Sequence, residues 1–501
     1  MGVPTNHRMK LLQITERNSY KSPNETSTNH RTEFLQITER NSYKSPNGHN
    51  KSQDLYIRTC WISVIFRIFA QQTKHMGIKE YKQRIADSLL KDKLEAFGAV
   101  LIEGPKWCGK TTTAEQQAKS ILYMAEPSRA MQNKELARIR PQMLLNGVTP
   151  RLIDEWQEAP QLWDAARLEV DHRGEMGQFI FTGSAVPTDS SLICHTGTGR
   201  FSWLRMRPMS LYESGESTGE LSLSAIVEGK EKLFGTNRLQ LDDIAFLLCR
   251  GGWPQAVGMK SKAALAQAYA YVDAVVKSDI SRADNVQRDE LRARRLMRSY
   301  ARHQGTSVSM AALRSDLANN EEQSFDESSI ATYLNALRRI FVVEDVQAWN
   351  PNLRSKTAIR STDTRYFVDP SIGAAALELG PDDLMNDLNT FGLLFETLCM
   401  RDLRVYADAL EGRIYHFRDS SGLECDAVMH LRAGVYGLIE IKLGGDRLIN
   451  EGAANLLKLQ SKIDTSKMKA PAFMMVLTAV GDYAYQREDG VYVAPIGSLK
   501  P

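Results

Sequence analysis

Gly104-Pro105-Lys106-Trp107-Cys108-Gly109-Lys110-Thr111 is the stretch of sequence that decides the fold. The apolar run Ala99–Glu103 precedes it and predicts a buried strand, and Thr112–Ile121 follows with a helical composition. Glycines let the main chain wrap around phosphate oxygens, and a helix N-terminus adds aligned N–H groups. In such a loop Lys110 reaches the β- and γ-phosphates and the Thr111 hydroxyl binds Mg²⁺. The order strand, loop, helix therefore predicts an α/β nucleotide-binding core that uses all eight residues and Thr112; the alternative is a chance match.

The composition is that of a globular protein of several domains. The chain has 501 residues, of which 43% are hydrophobic and 25% charged, and this length favours about three domains. Its six cysteines form no C-x-x-C pair, which favours reduced thiols in a cytoplasmic compartment over a zinc site or a disulfide framework. No run approaches the roughly 18 apolar residues that cross a bilayer, so we expect no membrane partner.

The net charge of +3 is unevenly distributed along the chain. Residues 1–75 contain eleven Lys and Arg against five Asp and Glu, so this segment carries +6 and the remainder −3. Any basic surface in the folded part must therefore be local. The overall charge does not decide whether nucleic acid is a partner.

The first 75 residues contain a duplication, in which Leu12–Asn24 recurs as Leu35–Asn47. Copies this rich in Asn, Ser and Thr cannot bury a core. We predict that residues 1–75 are a disordered or wrongly assigned N-terminal extension, read in frame upstream of a working start at Met76. The alternative is a disordered basic arm that binds a partner.

Two acidic residues follow the next apolar strand, which is predicted at Arg151–Trp156. Asp154 is the expected second ligand of the Mg²⁺ that Thr111 holds. Glu155 is placed to polarise the attacking water in ATP hydrolysis. The alternative for this Asp-Glu pair is an ordinary solvated strand end.

A further apolar strand, Gln178–Ser184, ends in small hydroxyl residues. Because the carboxyl ends of parallel strands face the ligand crevice, Thr182 or Ser184 could sense the γ-phosphate or position the water; the alternative is a simple turn. Arg200 lies on a Gly-rich loop. It could act as an arginine finger toward a neighbouring subunit of a homo-oligomer, or make an ordinary surface contact.

The segments GPKWCGKTT, LIDEWQEAP, FIFTGSA and TGTGRFSWLRMRPMSLYESGES resemble the ATPase module of prokaryotic AAA-superfamily proteins that carry a C-terminal domain of unknown function. The resemblance extends from Met76 to Pro501. It implies an AAA-like ATPase core over residues 76–215, and we expect ATP and Mg²⁺ as its cofactors. Residues 216–285 then read as a helical lid and linker, with helices at Asp243–Cys249 and Ala263–Ile280.

Residues 286–350 read as a winged helix-turn-helix. The pattern predicts helices over Leu291–His303 and Ser309–Leu317 and a third helix that Asp326 caps, followed by a strand at Phe341–Val346. The third helix would enter a major groove with Arg338 and Arg339 exposed. The alternative is a solvated helical bundle that packs against the ATPase core.

Residues 351–501 resemble the PD-(D/E)XK nuclease fold. The predicted order is helix Leu388–Leu403, strands Arg413–Phe417, Leu423–Val428 and Tyr436–Lys442, then helix Asn450–Ile463. The resemblance implies that Asp426 and Glu440 hold Mg²⁺, that Lys442 orients water and that Glu396 is a supporting acid. The leading Pro-Asp of the motif is absent, because Leu423-Glu424-Cys425 precedes Asp426. A degenerate domain that only binds is the alternative.

The leading interpretation is an α/β protein in which an AAA-type ATPase is coupled to a C-terminal domain that binds or cleaves DNA or RNA. The competing interpretation is a nucleotide-dependent switch whose C-terminal half binds protein and has no nuclease activity.

Overall fold

The structure is a computed structural model that describes residues 81–185, 187, 193–230, 234–318, 326–353 and 359–501. The predictions for residues 1–75 and for Met76 lie outside the described residues. Residues 81–501 form one compact unit. The predicted core, lid, winged-helix and C-terminal segments therefore belong to the same packed body from residue 81 onward.

Helices and strands alternate in the first part of this unit and again in the last part. The helices are α1 Ile85–Ala96, α2 Lys110–Gln117, α3 Ala130–Ile139, α4 Pro141–Leu145, α5 Leu162–Arg173, α6 Leu211–Ser214, α7 Leu223–Val227, α8 Leu241–Arg250, α9 Ser261–Ala274, α10 Ile280–Arg282, α11 Glu290–Arg302, α12 Met310–Ala318, α13 Glu327–Arg339, α14 Pro370–Leu377, α15 Pro381–Asn386, α16 Leu388–Ala409 and α17 Asp446–Lys462. The strands are β1 Ala99–Glu103, β2 Ser120–Tyr123, β3 Arg151–Asp154, β4 Phe179–Gly183, β5 Phe201–Arg205, β6 Leu221–Ser222, β7 Arg413–Arg418, β8 Glu424–His430, β9 Tyr436–Lys442, β10 Phe473–Thr478, β11 Tyr485–Gln486, β12 Tyr492–Pro495 and β13 Leu499–Lys500.

The first sheet is parallel and has the order β2-β3-β4-β1-β5. Its strands are short and apolar because helices cover both faces, as is usual for a parallel sheet. β1 lies between β4 and β5, so that Ala99 is opposite both Phe179 and Phe201. The carboxyl ends of β1, β3 and β4 therefore meet at one edge, and the three strands predicted there are confirmed.

The helix predicted over Thr112–Ile121 is too long. α2 ends at Gln117, where Ala118 takes an extended backbone with ψ of 136°. Ile121 instead lies in β2, which pairs with β3 at the edge of the sheet. This edge strand has four residues, none of them buried, so its apolar signal was too weak to separate it from the preceding helix.

The second sheet has the order β11-β12-β10-β9-β8-β7. β7, β8 and β9 are antiparallel neighbours, whereas β9 and β10 are parallel. Alternation along β9 directs Ile439 into one core with Leu398 of α16, and Leu438 into another with Leu456 of α17. The predicted order of helix, three strands and helix is confirmed, and the two helices cover opposite faces of the sheet.

A helical region links the two sheets. Helices α11, α12 and α13 confirm the three helices predicted between residues 286 and 350. The strand predicted at Phe341–Val346 is wrong: the structure has two isolated bridges there, Val343 to Phe367 and Val346 to Thr364. Phe341 has a left-handed φ of 60°, which interrupts any extended run.

The residues that follow the first sheet pair with the far end of the chain. β13 is parallel to β6, with Leu499 opposite Leu221. The Ser217 hydroxyl donates to the Leu499 carbonyl at 2.7 Å. The segment predicted as lid and linker thus begins with residues bound to the C-terminal strands.

Two general expectations can be compared with the described residues. Within them, no helix combines the length and the apolar character needed to cross a membrane. The five cysteines they contain, which are Cys108, Cys194, Cys249, Cys399 and Cys425, are free thiols.

Candidate nucleotide-binding site and a C-terminal acidic cluster

The loop between β1 and α2 has the close main-chain path that a phosphate cradle needs. A Cβ atom at Gly104 would lie 2.0 Å from the carbonyl oxygen of Met206, so only glycine fits there. Gly109, which precedes the first residue of α2, has a left-handed φ of 98°. Both motif glycines are therefore required by the conformation of the loop.

Lys110 begins α2 and is buried within the loop. Its Nζ donates to the carbonyl oxygens of Gly104 at 3.0 Å and Pro105 at 2.7 Å. The ammonium group thus lies inside the turn of main chain that would surround a phosphate. That the ammonium group reaches the β- and γ-phosphates stays a prediction from the motif.

Asp154, the last residue of β3, links the loop to the neighbouring strand. Its Oδ1 accepts from Thr111 Oγ1 at 2.7 Å and from Thr182 Oγ1 at 2.6 Å. Carboxylate and hydroxyl oxygens are the hard donors that Mg²⁺ prefers. The donor set therefore fits Mg²⁺, with Thr111 and Asp154 as the residues that would hold it.

Glu155 lies directly after β3 and has a left-handed backbone, with φ of 55°. Its Oε2 accepts from Ser184 Oγ at 3.1 Å and from Gln157 Nε2. Ser184 follows β4, whose residue Thr182 binds Asp154. The structure thus brings Glu155, Thr182 and Ser184 to the sheet edge that carries the loop.

Arg200 is not at this edge. Its side chain is exposed and its Nε donates to Asp171 Oδ1 on α5 at 2.8 Å. This contact is the ordinary surface pairing that was the alternative for Arg200, and a role in a neighbouring subunit stays a prediction.

Two loop residues point toward the helical region. Lys106 Nζ lies 2.6 Å from Asp279 Oδ1. Trp107 is about half exposed, and its ring packs edge-to-face on Tyr271 with centroids 6.0 Å apart. These two side chains contact the helical residues after position 250. Lys110 and Thr111 instead contact the loop itself and Asp154.

Arg84, just before α1, also contacts the loop, and the sequence did not predict this contact. Its Nη1 donates to the carbonyl oxygen of Cys108 at 2.8 Å. Nothing in the sequence around Arg84 distinguishes it from other arginines, because its partner lies 24 positions away.

The C-terminal acidic cluster consists of Glu396, Asp426, Glu440 and Lys442. Lys442 Nζ lies 2.6 Å from Glu440 Oε2 and 3.2 Å from Asp426 Oδ2. Asp426 Oδ2 also accepts from the main-chain N–H of Ile441 at 2.7 Å. The structure therefore brings together the three strand residues that the nuclease resemblance selected.

Glu396 joins the cluster from α16. Its Oε1 accepts from the hydroxyl of Tyr366, a residue that the sequence did not single out. Burial, together with the nearby charge of Asp426, raises the pKa of both Glu396 and Glu440 well above the usual range. Within the described part of the chain, Glu440 Oε1 has no hydrogen-bond partner.

The cluster has a partial donor set for a metal. Asp426 and Glu440 supply hard carboxylate oxygens, and the unpartnered Glu440 Oε1 is one of them. Lys442 is bound to both carboxylates, so a cation would have to displace its ammonium group. The described residues contain no group of three or more His, Cys, Asp or Glu side chains arranged to hold a metal.

Five arginines between residues 286 and 350, including Arg338 and Arg339, which were expected to be exposed, are bound within the chain. Arg288 binds Asp284, Arg294 binds Asp273, Arg302 binds Asp316, Arg338 binds Asp345, and Arg339 donates to the carbonyls of Ala283 and Pro187. The third helix of this region therefore uses its basic residues in intramolecular contacts.

Comparisons with known proteins agree with the loop geometry. Residues 96–215 match the model of an AAA domain, and residues 241–383 and 391–499 match two domains of unknown function, DUF8612 and DUF4143. Two mycobacterial proteins, the uncharacterized proteins Rv2008c of Mycobacterium tuberculosis and Mb2031c of Mycobacterium bovis, are 25% identical over 366 residues, which is 72% of this chain and 74% of theirs.

A solved structure, the Walker-type ATPase PABY2304 of Pyrococcus abyssi, aligns with a TM-score of 0.36 at 14% identity over 59% of this chain and 96% of that chain. The family match supports the predicted AAA-like ATPase core, and the match at residues 391–499 agrees with the expected C-terminal domain of unknown function. The nuclease-like and winged-helix interpretations stay predictions.

Proposed function

We propose that this protein is an Mg²⁺-dependent ATPase of AAA type. The observation that carries the proposal is the convergence of Thr111 and Thr182 on one oxygen of Asp154, beside a loop that encloses Lys110 Nζ. Phosphate-binding and metal-binding groups are thus combined at the carboxyl edge of a parallel sheet, where ligands of such sheets bind.

Each residue then has a separate task. Lys110 exchanges its bonds to the Gly104 and Pro105 carbonyls for phosphate oxygens. Thr111 and Asp154 would hold Mg²⁺, which neutralises the charge that develops on the transferred phosphoryl group. Glu155 accepts a hydrogen bond from the attacking water once its bonds to Ser184 and Gln157 are released.

The test is ATP binding by calorimetry and Mg²⁺-dependent ATP turnover by phosphate release. Lys110→Ala removes the buried ammonium, and we expect turnover to fall at least about 100-fold. Lys119→Ala is the matched control, because Lys119 is an exposed lysine just after α2. Absence of triphosphate binding by the folded wild-type protein would contradict the proposal.

We further propose that the C-terminal part binds or cleaves nucleic acid. The supporting observation is that Lys442 contacts both Asp426 and Glu440, while Glu440 Oε1 has no hydrogen-bond partner among the described residues. Asp426 and Glu440 would hold Mg²⁺, which polarises a phosphodiester, and Lys442 would stabilise charge on the phosphate.

The second candidate is a nucleotide-dependent switch whose C-terminal half binds protein. It is favoured by Arg338 and Arg339, which are bound to groups of the same chain. Under this function the acidic cluster has a structural role only.

Metal-dependent cleavage of DNA and RNA with Mg²⁺ or Mn²⁺ separates the two candidates. Under the nuclease function, Lys442→Ala abolishes cleavage, while Glu411→Ala, at an exposed acid after α16 that pairs with Arg432, retains it. A wild-type protein that cleaves nothing contradicts the nuclease function. If neither polymer is retained or changes ATP turnover, the switch is favoured.

A further inference from the structure

Arg84 is a buried arginine that binds three parts of the ATPase core. Only 5% of it is exposed. Its Nη1 donates to the Cys108 carbonyl at 2.8 Å, its Nη2 to the Arg207 carbonyl at 2.8 Å, and its Nε to Glu213 Oε1 at 3.0 Å. One planar guanidinium thus joins the phosphate loop to the chain that follows β5.

The loop is held closely on this side. Arg84 Nη1 is 3.4 Å from where a Cβ of Gly109 would lie, and Cys108 is fully buried with its thiol against the Met206 carbonyl. Cys108 and Gly109 immediately precede Lys110. The position of Arg84 therefore determines where the lysine and the first N–H groups of α2 lie.

Arg207 carries the connection onward to the C-terminal part. Its Nη2 lies 2.7 Å from Glu344 Oε1 and its Nη1 lies 2.6 Å from Asp408 Oδ2. Burial raises the pKa of the Glu344 carboxyl, but the charges of Arg207 and Arg404 outweigh burial and hold this pKa below its usual range. The Glu344 carboxylate therefore stays ionised beside the Arg207 guanidinium at neutral pH.

Asp408 and Glu396 belong to the same 22-residue helix, α16. A second contact ties this helix to the ATPase core, because the Leu211 N–H donates to Asp402 Oδ2 at 2.9 Å. The helix thus runs from the acidic cluster to the residues that Arg84 binds.

We propose that Arg84 is a positioning residue of the nucleotide site and that it couples the phosphate loop, through Arg207 and Asp408, to the C-terminal helix α16. The proposal rests on the proposed nucleotide binding of the loop. It implies that changes at Asp408 alter nucleotide affinity, and that nucleotide reciprocally alters the C-terminal half.

The first test is nucleotide affinity of the full chain, measured by calorimetry with an ATP analogue that is not hydrolysed. Arg84→Lys keeps the charge but loses the fork that reaches two carbonyls, and we expect affinity to fall about tenfold. Lys82→Met is the matched control, since Lys82 donates to the Ser214 carbonyl and does not contact the loop. We expect it to bind as wild type does.

The second test starts from the other end and leaves Arg84 intact. Asp408→Asn should weaken nucleotide binding about fivefold in the wild-type background and have no further effect in Arg84→Lys. Glu411→Gln is its control, because Glu411 pairs with Arg432 rather than with Arg207.

The outcomes separate the two proposals. No nucleotide binding by wild type overturns both. Wild-type affinity in Arg84→Lys, an equal loss in Lys82→Met, or additive losses in the double variant overturn the coupling and leave the ATPase function standing. Near-ultraviolet circular dichroism establishes that each variant is folded.

Discussion

The candidate nucleotide site lies at the carboxyl edge of the first sheet and the C-terminal acidic cluster lies on β8 and β9 of the second, and their charges are balanced differently. At the nucleotide site Asp154 binds two neutral hydroxyls, and Lys110 binds two carbonyls of its own loop. In the acidic cluster the carboxylates face each other and share Lys442. A ligand at the first site replaces hydrogen bonds to uncharged partners, whereas a cation at the second must displace an ammonium group.

The largest effect that we expect concerns Glu155. Glu155→Gln should lower ATP turnover about 100-fold or more and leave ATP affinity within about threefold, because a neutral amide binds the water but cannot polarise it equally well. Single-turnover kinetics and calorimetry measure the two quantities separately. Glu158→Gln is the control, because Glu158 pairs with Lys134 at the surface. Equal losses of affinity and turnover would instead assign Glu155 a structural role in the site.

The pH dependence of stability gives a smaller effect, specific to the acidic cluster. Glu396 and Glu440 have folded-state pKa values above their unfolded values, so the folded state binds more protons. This contribution to stability is present at low pH and is lost as pH rises from about 4.5, the unfolded value, through the raised values. We expect the free energy of unfolding to fall by up to about 1.4 kcal/mol per pH unit for each group in that window.

Glu440→Gln tests this prediction by urea unfolding between pH 5 and pH 8 in a chelating buffer. The variant should show a shallower decline than wild type, while Glu411→Gln should keep the wild-type slope because Glu411 is exposed and pairs with Arg432. Identical slopes in wild type and Glu440→Gln would show that Glu440 is ionised throughout, and the contrast between the two sites would disappear.

The smallest effect is expected for Arg200. Arg200 and Asp171 form an exposed pair, and such pairs contribute little to stability. Arg200→Ala should therefore leave the melting temperature and ATP turnover close to wild type. A fall of turnover by about 1,000-fold would instead identify an arginine finger. Mixing Arg200→Ala with Lys110→Ala subunits would then show whether the finger acts between subunits.

That the residues of the candidate nucleotide site lie together could be predicted from sequence because its parts are local. The loop, Asp154 and Thr182 each lie at the carboxyl end of an apolar strand, and parallel pairing brings such ends together. Arg84 could not be predicted, since an arginine before a helix has no pattern of its own. Its role depends on Arg207, 123 positions away.

The strand residues of the acidic cluster could be predicted from sequence, but the residues that surround them could not. Period-two alternation places Glu440 and Lys442 on one face of β9. Tyr366 comes from a stretch without regular structure, so its bond to Glu396 depends on packing alone. The strand predicted at Phe341–Val346 was wrong for the opposite reason. Its residues have strand propensity, but the left-handed Phe341 interrupts the extended run, and in the described residues Val343 and Val346 form isolated bridges.

The pairing of β13 with β6 constrains the order in which parts of this protein can fold during synthesis. Ser217 and Leu499 are 282 positions apart, yet the first donates its hydroxyl to the second. A ribosome adds residues in sequence, so Leu221 leaves the exit tunnel long before its partner strand exists. The section after β5 can complete this pairing only after residues 499–500 have been synthesised, and closure of so long a loop costs conformational entropy.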